Sequence, residues 1–329
     1  MSEAASALER DQARALPIIV GPTASGKSAL ALALAARMGG TIINADAMQC
    51  YADWRIITAR PSVADEARAV HRLYGVRALD QAVDAAWWRN AALGVLAGAK
   101  DPILCGGTGM YLRALIEGLA PVPDFAPDAR VQARAMLAAH GAVWLHEFLA
   151  ARDPVTAARV RPNDPQRVAR AVEVWLGTGR GLAYWQAQPT ERLRGFAPVV
   201  IWLDPPRDAL RAAIERRFHA MLEAGAVEEV RAVVARGLAA GWPDDLPGWR
   251  AHGVPELRGY LAGKMDLATA TAAAIDATMR YTKRQATWFR HQRLADARRT
   301  QVINARIDDS TQFLERTLDE IMSLIKCSG

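Results

Sequence analysis

Short apolar runs alternate with helical patterns along much of the chain. Buried-strand patterns occur at Leu16–Val20, Thr41–Asp46, Pro102–Gly109, Pro198–Asp204 and Gln301–Ala305. Each run is too short for a typical helix and has an apolar centre, which favours a strand that is covered on both faces. Helical stretches separate the runs, among them Ala-rich ones such as residues 267–278. The pattern therefore predicts an α/β fold with a parallel sheet flanked by helices.

The segment between residues 121 and 196 lacks strand patterns and has helical spacing instead. In its second half, Asp164 is a natural helix N-cap and Pro165 suits the first helical position. Apolar residues then recur on one face from Val168 to Trp175. We predict an all-helical domain at 121–196, inserted into a catalytic core made of residues 1–120 and 197–329.

The first predicted strand runs into a glycine-rich loop, GPTASGKS. Its residues are Gly21, Pro22, Thr23, Ala24, Ser25, Gly26, Lys27 and Ser28. A strand before the loop and a helix after it complete the context that a phosphate-binding loop requires. Backbone N–H groups and Lys27 would hold phosphate oxygens, and Ser28 would ligate Mg²⁺. An ordinary glycine turn is the alternative, but the complete motif favours a P-loop NTPase-like core.

Two more predicted strands end in residues that suit a ligand site. Asp46 follows the second strand, where it would act as a general base, a Mg²⁺ partner or a cap of the next turn. The third strand ends in Gly106-Gly107-Thr108 rather than in the metal-binding Asp of nucleotide hydrolases. Ligands bind beyond the carboxyl ends of strands in open α/β sheets, so we expect Asp46 and Thr108 to face the loop.

Arg217 lies on the apolar side of a helix that begins near Asp208. Its neighbours three and four residues away are Ala213, Ile214, Ala220 and Met221, and no acid on this helix pairs with it. A guanidinium that faces a cleft suits a phosphate. The alternatives are that Arg217 extends to solvent or pairs with an acid from another element.

Charge and composition narrow the function classes. The 329 residues carry a net charge of +6, which permits a polyanionic partner. Residues 280–299 contain seven Lys or Arg and one acid, with aromatic residues between them, a pattern that suits nucleic acid or a solvated helix face. Three widely spaced cysteines suggest a reduced, cytoplasmic protein. Neither a signal peptide nor an apolar run long enough to span a membrane is evident, so no membrane partner is expected.

Several motifs, in this order and spacing, resemble those of the tRNA dimethylallyltransferases, also called tRNA isopentenyltransferases. The likeness extends from about Leu16 to Arg290. The segments that carry it are Gly21–Lys27, Asp46–Tyr51, Ile57–Pro61, Gly106–Tyr111, Asn163–Arg167, Arg217–Met221 and Lys283–Arg290. The chain departs from the family pattern at Ala47, Ile57, Ala213, Met279 and Arg280, and this affects our expectations of tRNA recognition but not of the reaction class.

The resemblance implies transfer of a dimethylallyl group from dimethylallyl diphosphate to N6 of the adenosine on the 3′ side of the anticodon. The loop would hold the diphosphate with Mg²⁺ near Ser28, and Lys27, Arg217, Thr108 and the base Asp46 would be catalytic. The target adenine would have to be flipped into a channel lined by Thr23, Thr108 and Tyr111. Predicted tRNA contacts are Asp46, Ala47, Met48, Gln49, Thr108, Arg130, Gln166, Arg167, Arg170, Arg250, His252, Gly253, Lys283 and Arg284. We expect the protein to act as a monomer.

Three other functions compete with this interpretation. An adenylate isopentenyltransferase would share the loop and the prenyl donor but would not need the helical insertion or the basic segment. A small-molecule kinase with a phosphate-binding loop would consume ATP and would leave the other motifs unexplained. An RNA-binding protein without enzymatic activity would explain the charge but not the complete loop.

Overall fold

A six-stranded parallel sheet forms the centre of the fold in the computed structural model, which describes residues 13–307 and 311–328. The strands are β1 (Arg14–Val20), β2 (Thr41–Asn44), β3 (Val70–Arg72), β4 (Pro102–Cys105), β5 (Phe196–Leu203) and β6 (Thr300–Ile303). Their order is β3-β2-β4-β1-β5-β6, and all neighbouring strands are parallel. The register aligns Ile18 of β1 with Leu104 of β4 and Val200 of β5. The predicted parallel α/β fold is confirmed.

Helices connect the strands and cover the sheet. Over the described residues they are α1 (Lys27–Met38), α2 (Val63–Arg68), α3 (Ala85–Gly98), α4 (Gly109–Glu117), α5 (Asp128–Ala150), α6 (Pro154–Ala157), α7 (Pro165–Thr178), α8 (Leu182–Gln186), α9 (Arg207–Glu223), α10 (Ala226–Ala239), α11 (Val254–Leu261), α12 (Leu267–His291) and α13 (Thr311–Lys326). None of the helices within these residues is both long and apolar enough to cross a membrane.

The core strands bury both of their faces because their side chains alternate in direction. In β1, Ile18 contributes to a core with Trp88 of α3, whereas Ile19 contributes to a core with Leu30 of α1 and Ile321 of α13. A third apolar cluster gathers around Trp54 and joins α9, α10, α11 and α12. The sheet is thus covered on both sides, as the continuous apolar runs predict.

Contacts divide the chain into two compact units. One unit combines the residues through Ile116 with those from Leu193 onward, and it contains the sheet. The other unit is Glu117–Arg192, and its described structure is helical. The second unit has its own apolar core, which includes Leu145, Leu149 and Val168.

Local signals explain how the helical unit is built. Asp164 accepts a hydrogen bond from the Arg167 N–H at 3.0 Å, so it caps α7 as its sequence position predicts. Helix α5 is kinked at Gly141, whose φ of 81° is a conformation that glycine adopts readily. The carboxylate of Glu173 is nearly buried and accepts hydrogen bonds from both Arg130 and Arg170.

Candidate active site

Loops that follow β1, β2 and β4 converge at one edge of the sheet. The loop after β1 requires glycine at two positions. Gly21 has a φ of 144° and a Cβ there would overlap the Leu203 carbonyl, while Gly26 has a φ of 95° and a Cβ would overlap the Ile307 carbonyl. Each glycine therefore combines a left-handed backbone with a close approach that no other residue allows. Helix α1 begins directly after this loop and directs its N-terminus toward it.

Lys27 and Ser28 begin α1 and line a cavity of about 560 Å³ beside the loop. The Lys27 ammonium donates to the Pro22 carbonyl at 2.6 Å. Burial lowers the pKa of Lys27 to about 8, against the opposing effects of Cys105 and Asp46. The Ser28 side chain is exposed to the cavity, where it is available to a ligand.

Arg217 of α9 reaches the loop from the opposite wall. Its guanidinium donates to the Thr23 hydroxyl at 2.6 Å. Burial lowers the pKa of Arg217 to about 10, with a smaller lowering effect from Arg306 and a raising effect from Asp46. Arg217 therefore neither extends to solvent nor forms an ion pair with any acid of the described chain. It faces the site, where it is suited to an anion.

Asp46 takes one of the roles that its sequence position allows, the cap of the next turn, and leaves its second carboxylate oxygen facing the site. One carboxylate oxygen, Oδ1, accepts the Met48 N–H at 2.9 Å and so caps the 3-10 turn Met48–Cys50. Its backbone is held by Asn44, which accepts the Asp46 N–H at 2.8 Å. Within the described residues, no hydrogen bond to Oδ2 is present, and the side chain lines the cavity with Thr23 and Arg217. One oxygen thus fixes the side chain and the other remains available for chemistry.

Helix α12 joins the two glycine-rich loops through Gln285. Its amide oxygen accepts the Thr23 N–H at 3.0 Å, and its amide nitrogen donates to the Gly107 carbonyl at 3.0 Å. Gln285 is only 4% exposed. The sequence motifs did not assign it a role, although it falls on the buried stripe Thr278, Thr282, Gln285 and Phe289 at helical spacing. A glutamine on such a stripe is the signal that would have identified it.

Thr108 also lies where the loops that follow β1, β2 and β4 converge. Its hydroxyl accepts the Ala47 N–H at 3.0 Å, so it connects the ends of β2 and β4. Tyr281 of α12 lies beside it, and burial raises the pKa of the Tyr281 hydroxyl. Tyr111, which the sequence placed on the channel, packs in the core instead: its hydroxyl donates to the Val83 carbonyl at 3.1 Å and its ring stacks on Trp88.

Two cavities that differ in the number of cations on their walls meet where the loops after β1, β2 and β4 converge. The larger one is polar and is lined by the phosphate-binding loop and five cations, Lys27, Arg60, Arg216, Arg217 and Arg306. The smaller one has mixed walls: apolar side chains come from Met48, Ile57, Ile214, Phe218 and Met221, and polar groups come from Thr58, His252, Thr278 and Tyr281. Thr23, Asp46 and Arg217 line both. The arrangement offers an anion site beside a smaller pocket that presents apolar side chains, and the Asp46 carboxylate lines both.

The predicted tRNA contacts in the unit that contains the sheet differ in how exposed their side chains are. Arg250, Lys283 and Arg284 are exposed. The Gln49 amide donates to the carbonyls of Thr58 and Ala59 at 2.9 and 3.0 Å, while Ala47 and Met48 lie at the turn after β2. His252 is partly buried against the Tyr281 ring at 4.3 Å, and burial lowers its pKa to about 4. Gly253 is buried beside Phe218, with a φ of 93°.

The predicted contacts of the helical unit lie on α5 and α7. Gln166 and Arg167 are exposed at the start of α7, and the Arg167 guanidinium is 3.4 Å from the Asp164 carboxylate. Arg130 and Arg170 share Glu173, with N–O distances of 3.1 and 2.7 Å. Glu173 therefore brings these two arginines together, an arrangement that no sequence motif indicated.

Few protein groups are placed to hold a metal. Within the described residues, no cluster of three or more His, Cys, Asp or Glu side chains could bind one. Mg²⁺ commonly takes one or two protein ligands and completes its shell with substrate phosphates and water. The exposed Ser28 hydroxyl beside the loop fits that mode of binding.

Comparison with known proteins agrees with this geometry. The sequence profile described as IPP transferase matches residues 49–292. The chain is 63% identical to the tRNA dimethylallyltransferase of Acidiphilium cryptum over the full length of both proteins. It is 50% identical to the tRNA dimethylallyltransferase of Gluconacetobacter diazotrophicus, over 99% of this chain and 97% of that protein.

This chain belongs to the IPP transferase family. The resemblance stated from the sequence motifs is therefore confirmed. A crystal structure of the tRNA isopentenylpyrophosphate transferase of Bacillus halodurans superimposes with a TM-score of 0.67 at 28% identity, covering 96% of this chain and 98% of that one. The matched segment of the IPP transferase profile excludes both the phosphate-binding loop and Arg306, which the structure brings to the same cavity.

Proposed function

We propose that this protein transfers a dimethylallyl group from dimethylallyl diphosphate to N6 of the adenosine on the 3′ side of the anticodon in tRNA. The observation that carries the proposal is that a cationic cavity and a smaller pocket with apolar side chains on its walls meet at Thr23, Asp46 and Arg217. A prenyl diphosphate has the same two-part character. The names of the relatives, tRNA dimethylallyltransferases, support the same reaction.

The leaving group occupies the cationic cavity. Cleavage of the allylic C–O bond places negative charge on the diphosphate, and the loop N–H groups, Lys27 and Arg217 stabilise that charge. Mg²⁺ held beside Ser28 supplies further charge neutralisation when it is bound. The allyl group, which becomes positively charged, lies toward the apolar side chains of the smaller pocket and excludes water there.

Asp46 is the base of the proposed reaction. The exocyclic N6 amine is a weak nucleophile, since its lone pair is delocalised, and it loses a proton as the new C–N bond forms. Oδ1 of Asp46 is fixed by the Met48 N–H, so Oδ2 is held in a defined position to accept that proton. The adenine reaches this position only after flipping out of the anticodon loop, at a cost of about a few kcal/mol.

RNA is bound by cations outside the reacting centre. In the unit that contains the sheet, the exposed cations are Arg250, Lys283 and Arg284; in the helical unit they are Arg130, Arg167 and Arg170, with the neutral Gln166 beside them. Contacts of this kind bind phosphates and set the position of the RNA. That the protein works as a monomer in the cytoplasm stays a prediction from its sequence.

The test compares two acceptors. The protein is incubated with Mg²⁺, labelled dimethylallyl diphosphate, and either an anticodon stem-loop that carries adenosine after the anticodon or AMP. We expect label on N6 of that adenosine and none on AMP. Label on AMP but not on RNA would identify an adenylate isopentenyltransferase, and ATP consumption without prenyl transfer would identify a kinase.

A further inference from the structure

Arg306 reaches the phosphate-binding loop from the end of β6, far along the chain. Its Nε donates to the Ala24 carbonyl at 3.1 Å, and the next residue, Ile307, donates its N–H to the Ser25 carbonyl at 3.0 Å. The Ile307 carbonyl also lies where a Cβ of Gly26 would be. Two consecutive residues are therefore fixed to the loop, and the half-buried Arg306 is held at its edge.

The surroundings of Arg306 are strongly cationic. It lines the same cavity as Lys27, Arg216 and Arg217, and Asp46 and Asp65 are the carboxylates on that wall. Arg306 forms no ion pair with a carboxylate of the described residues. Burial lowers the pKa of Arg217, and the positive charge of Arg306 lowers it further. The two guanidinium groups are therefore close enough to repel each other. An anion in the cavity would remove this repulsion.

The diphosphate of the prenyl donor carries more negative charge than the two predicted cationic side chains, Lys27 and Arg217, neutralise. A guanidinium whose Nε is already fixed by a carbonyl keeps both terminal nitrogens free, and these form the planar pair that phosphate oxygens accept. Arg216, by contrast, is exposed, and the structure shows no contact that fixes its position at the loop. Arg306, unlike Arg216, is fixed to the phosphate-binding loop itself.

We propose that Arg306 binds the diphosphate of the prenyl donor together with Lys27 and Arg217. The inference rests on the proposed function for the identity of the donor, but binding of inorganic diphosphate tests it without turnover. The charge of the diphosphate is present before, during and after C–O cleavage. Arg306 therefore contributes to binding of donor and product more than to the chemical step.

The experiment uses the full chain and inorganic diphosphate as the probe, with Mg²⁺ present. Arg306→Met keeps the aliphatic stem and removes the charge. We expect its dissociation constant for diphosphate, measured by calorimetry, to rise roughly tenfold, the order of one charge-assisted contact at a half-buried site. The KM for dimethylallyl diphosphate should rise by a similar factor with little change in kcat, and stem-loop affinity should not change.

Two further variants separate binding from loop shape. Arg306→Lys restores the charge but not the Nε bond to Ala24, and it should recover most of the diphosphate affinity. Arg298→Met removes an exposed arginine from the same part of the chain and should bind diphosphate as the wild type does. Wild-type affinity in Arg306→Met, or a lysine variant as weak as the methionine variant, would overturn the proposal. Failure of wild-type protein to prenylate the stem-loop would instead refute the proposed function.

Discussion

Asp46 illustrates how one carboxylate can serve both structure and chemistry. Its Oδ1 caps the turn after β2, and its Oδ2 has no partner among the described residues. The sequence offered a general base, a Mg²⁺ partner and a turn cap as alternatives; the structure shows the cap, and we propose the base. The two roles are compatible because a carboxylate has two oxygens, and capping fixes the rotamer that the base requires.

The substitution Asp46→Asn tests the proposed base. An asparagine keeps an oxygen for the Met48 N–H, so the turn is retained, but it cannot accept the N6 proton. We expect kcat to fall by about 10²–10⁴-fold, the usual contribution of a general base, while stem-loop affinity stays within about twofold. Single-turnover prenylation and filter binding measure the two quantities.

A matched control is available on the same cavity wall. Asp65 lines the cavity and caps α2 with Ser62, and Asp65→Asn preserves that cap. It should retain near wild-type turnover. If Asp46→Asn instead loses RNA binding and keeps normal turnover per bound RNA, Asp46 is an RNA contact and not the base.

His252 predicts a pH dependence of stability. Burial lowers its folded-state pKa to about 4, below the ordinary value of 6.5. Between these pH values the unfolded chain binds the proton and the folded chain does not, so stability falls as pH drops from 6.5 toward 4. From pH 7.5 to pH 5, the loss due to His252 should be about 2 kcal/mol in free energy of unfolding.

Urea unfolding at the two pH values measures this effect. His252→Gln should lose less stability on acidification than the wild type does. His219→Gln, which removes an exposed histidine, should show the wild-type pH response. An identical pH response in His252→Gln and wild type would show that His252 is protonated equally in the folded and unfolded states.

At the scale of the element, the buried and exposed faces of α12 have different roles. Its buried stripe contacts both loops through Gln285, and Trp288 fills the space in front of Gly109, where a Cβ would overlap the indole ring. Its exposed face carries Lys283 and Arg284. The basic composition of residues 280–291 therefore describes the outer face of the helix, and the remaining basic residues of the segment follow its end.

Substitutions on the two faces should separate donor handling from RNA binding. Gln285→Glu keeps an acceptor for Thr23 but places a carboxylate against the Gly107 carbonyl, which costs about 1–3 kcal/mol or more at a buried site. We expect a higher donor KM with unchanged stem-loop affinity. Lys283→Gln should weaken stem-loop binding by roughly fivefold, the order of one exposed phosphate contact, with unchanged donor KM.

Steady-state kinetics at saturating RNA measure the donor KM, and stem-loop titrations measure RNA affinity. Circular dichroism checks that both variants fold. Gln285→Met provides a neutral variant that removes both hydrogen bonds without burying a charge. It should raise donor KM as well. If either Gln285 variant reduces only RNA affinity, the helix contributes a single RNA-binding surface and not a support for the loops.

The elements themselves were mostly predictable from the sequence. Five strands carry continuous apolar runs that no other structure explains well, and each was predicted within a few residues of its bounds. Strand β3 (Val70–Arg72) was not, since it lies at the sheet edge and its side chains are exposed or half-buried. The helix predicted at 267–278 continues to His291, through the first part of the basic segment for which a solvated helix face was one of two interpretations.

At the scale of the whole molecule, the candidate site gathers residues from distant parts of the chain. The loop near residue 21, Asp46 and Thr108 were predictable because they follow strands, and the carboxyl ends of parallel strands share one edge. Arg306 also follows a strand, but no motif marks it. Gln285 and Tyr281 come from a helix, and only tertiary packing brings them to the loops.

The net charge of +6 leads to a prediction about salt. If exposed cations bind RNA phosphates, each contact releases counterions, and affinity falls as salt rises. We expect the dissociation constant of the stem-loop to rise at least about tenfold between 50 and 200 mM KCl. Arg167→Gln should reduce the slope of log affinity against log salt by about 0.7–0.9, the value of one phosphate contact, and leave donor KM unchanged.

The control for this prediction is Arg316→Gln on α13, where the arginine pairs with Glu320 and is not among the predicted RNA contacts. It lowers the net charge by the same amount as Arg167→Gln and should leave the slope unchanged. Equal slopes in both variants and wild type would show that α7 does not touch the RNA backbone. Equal reductions in both would show that the RNA responds to overall charge, since only a local contact distinguishes the two arginines.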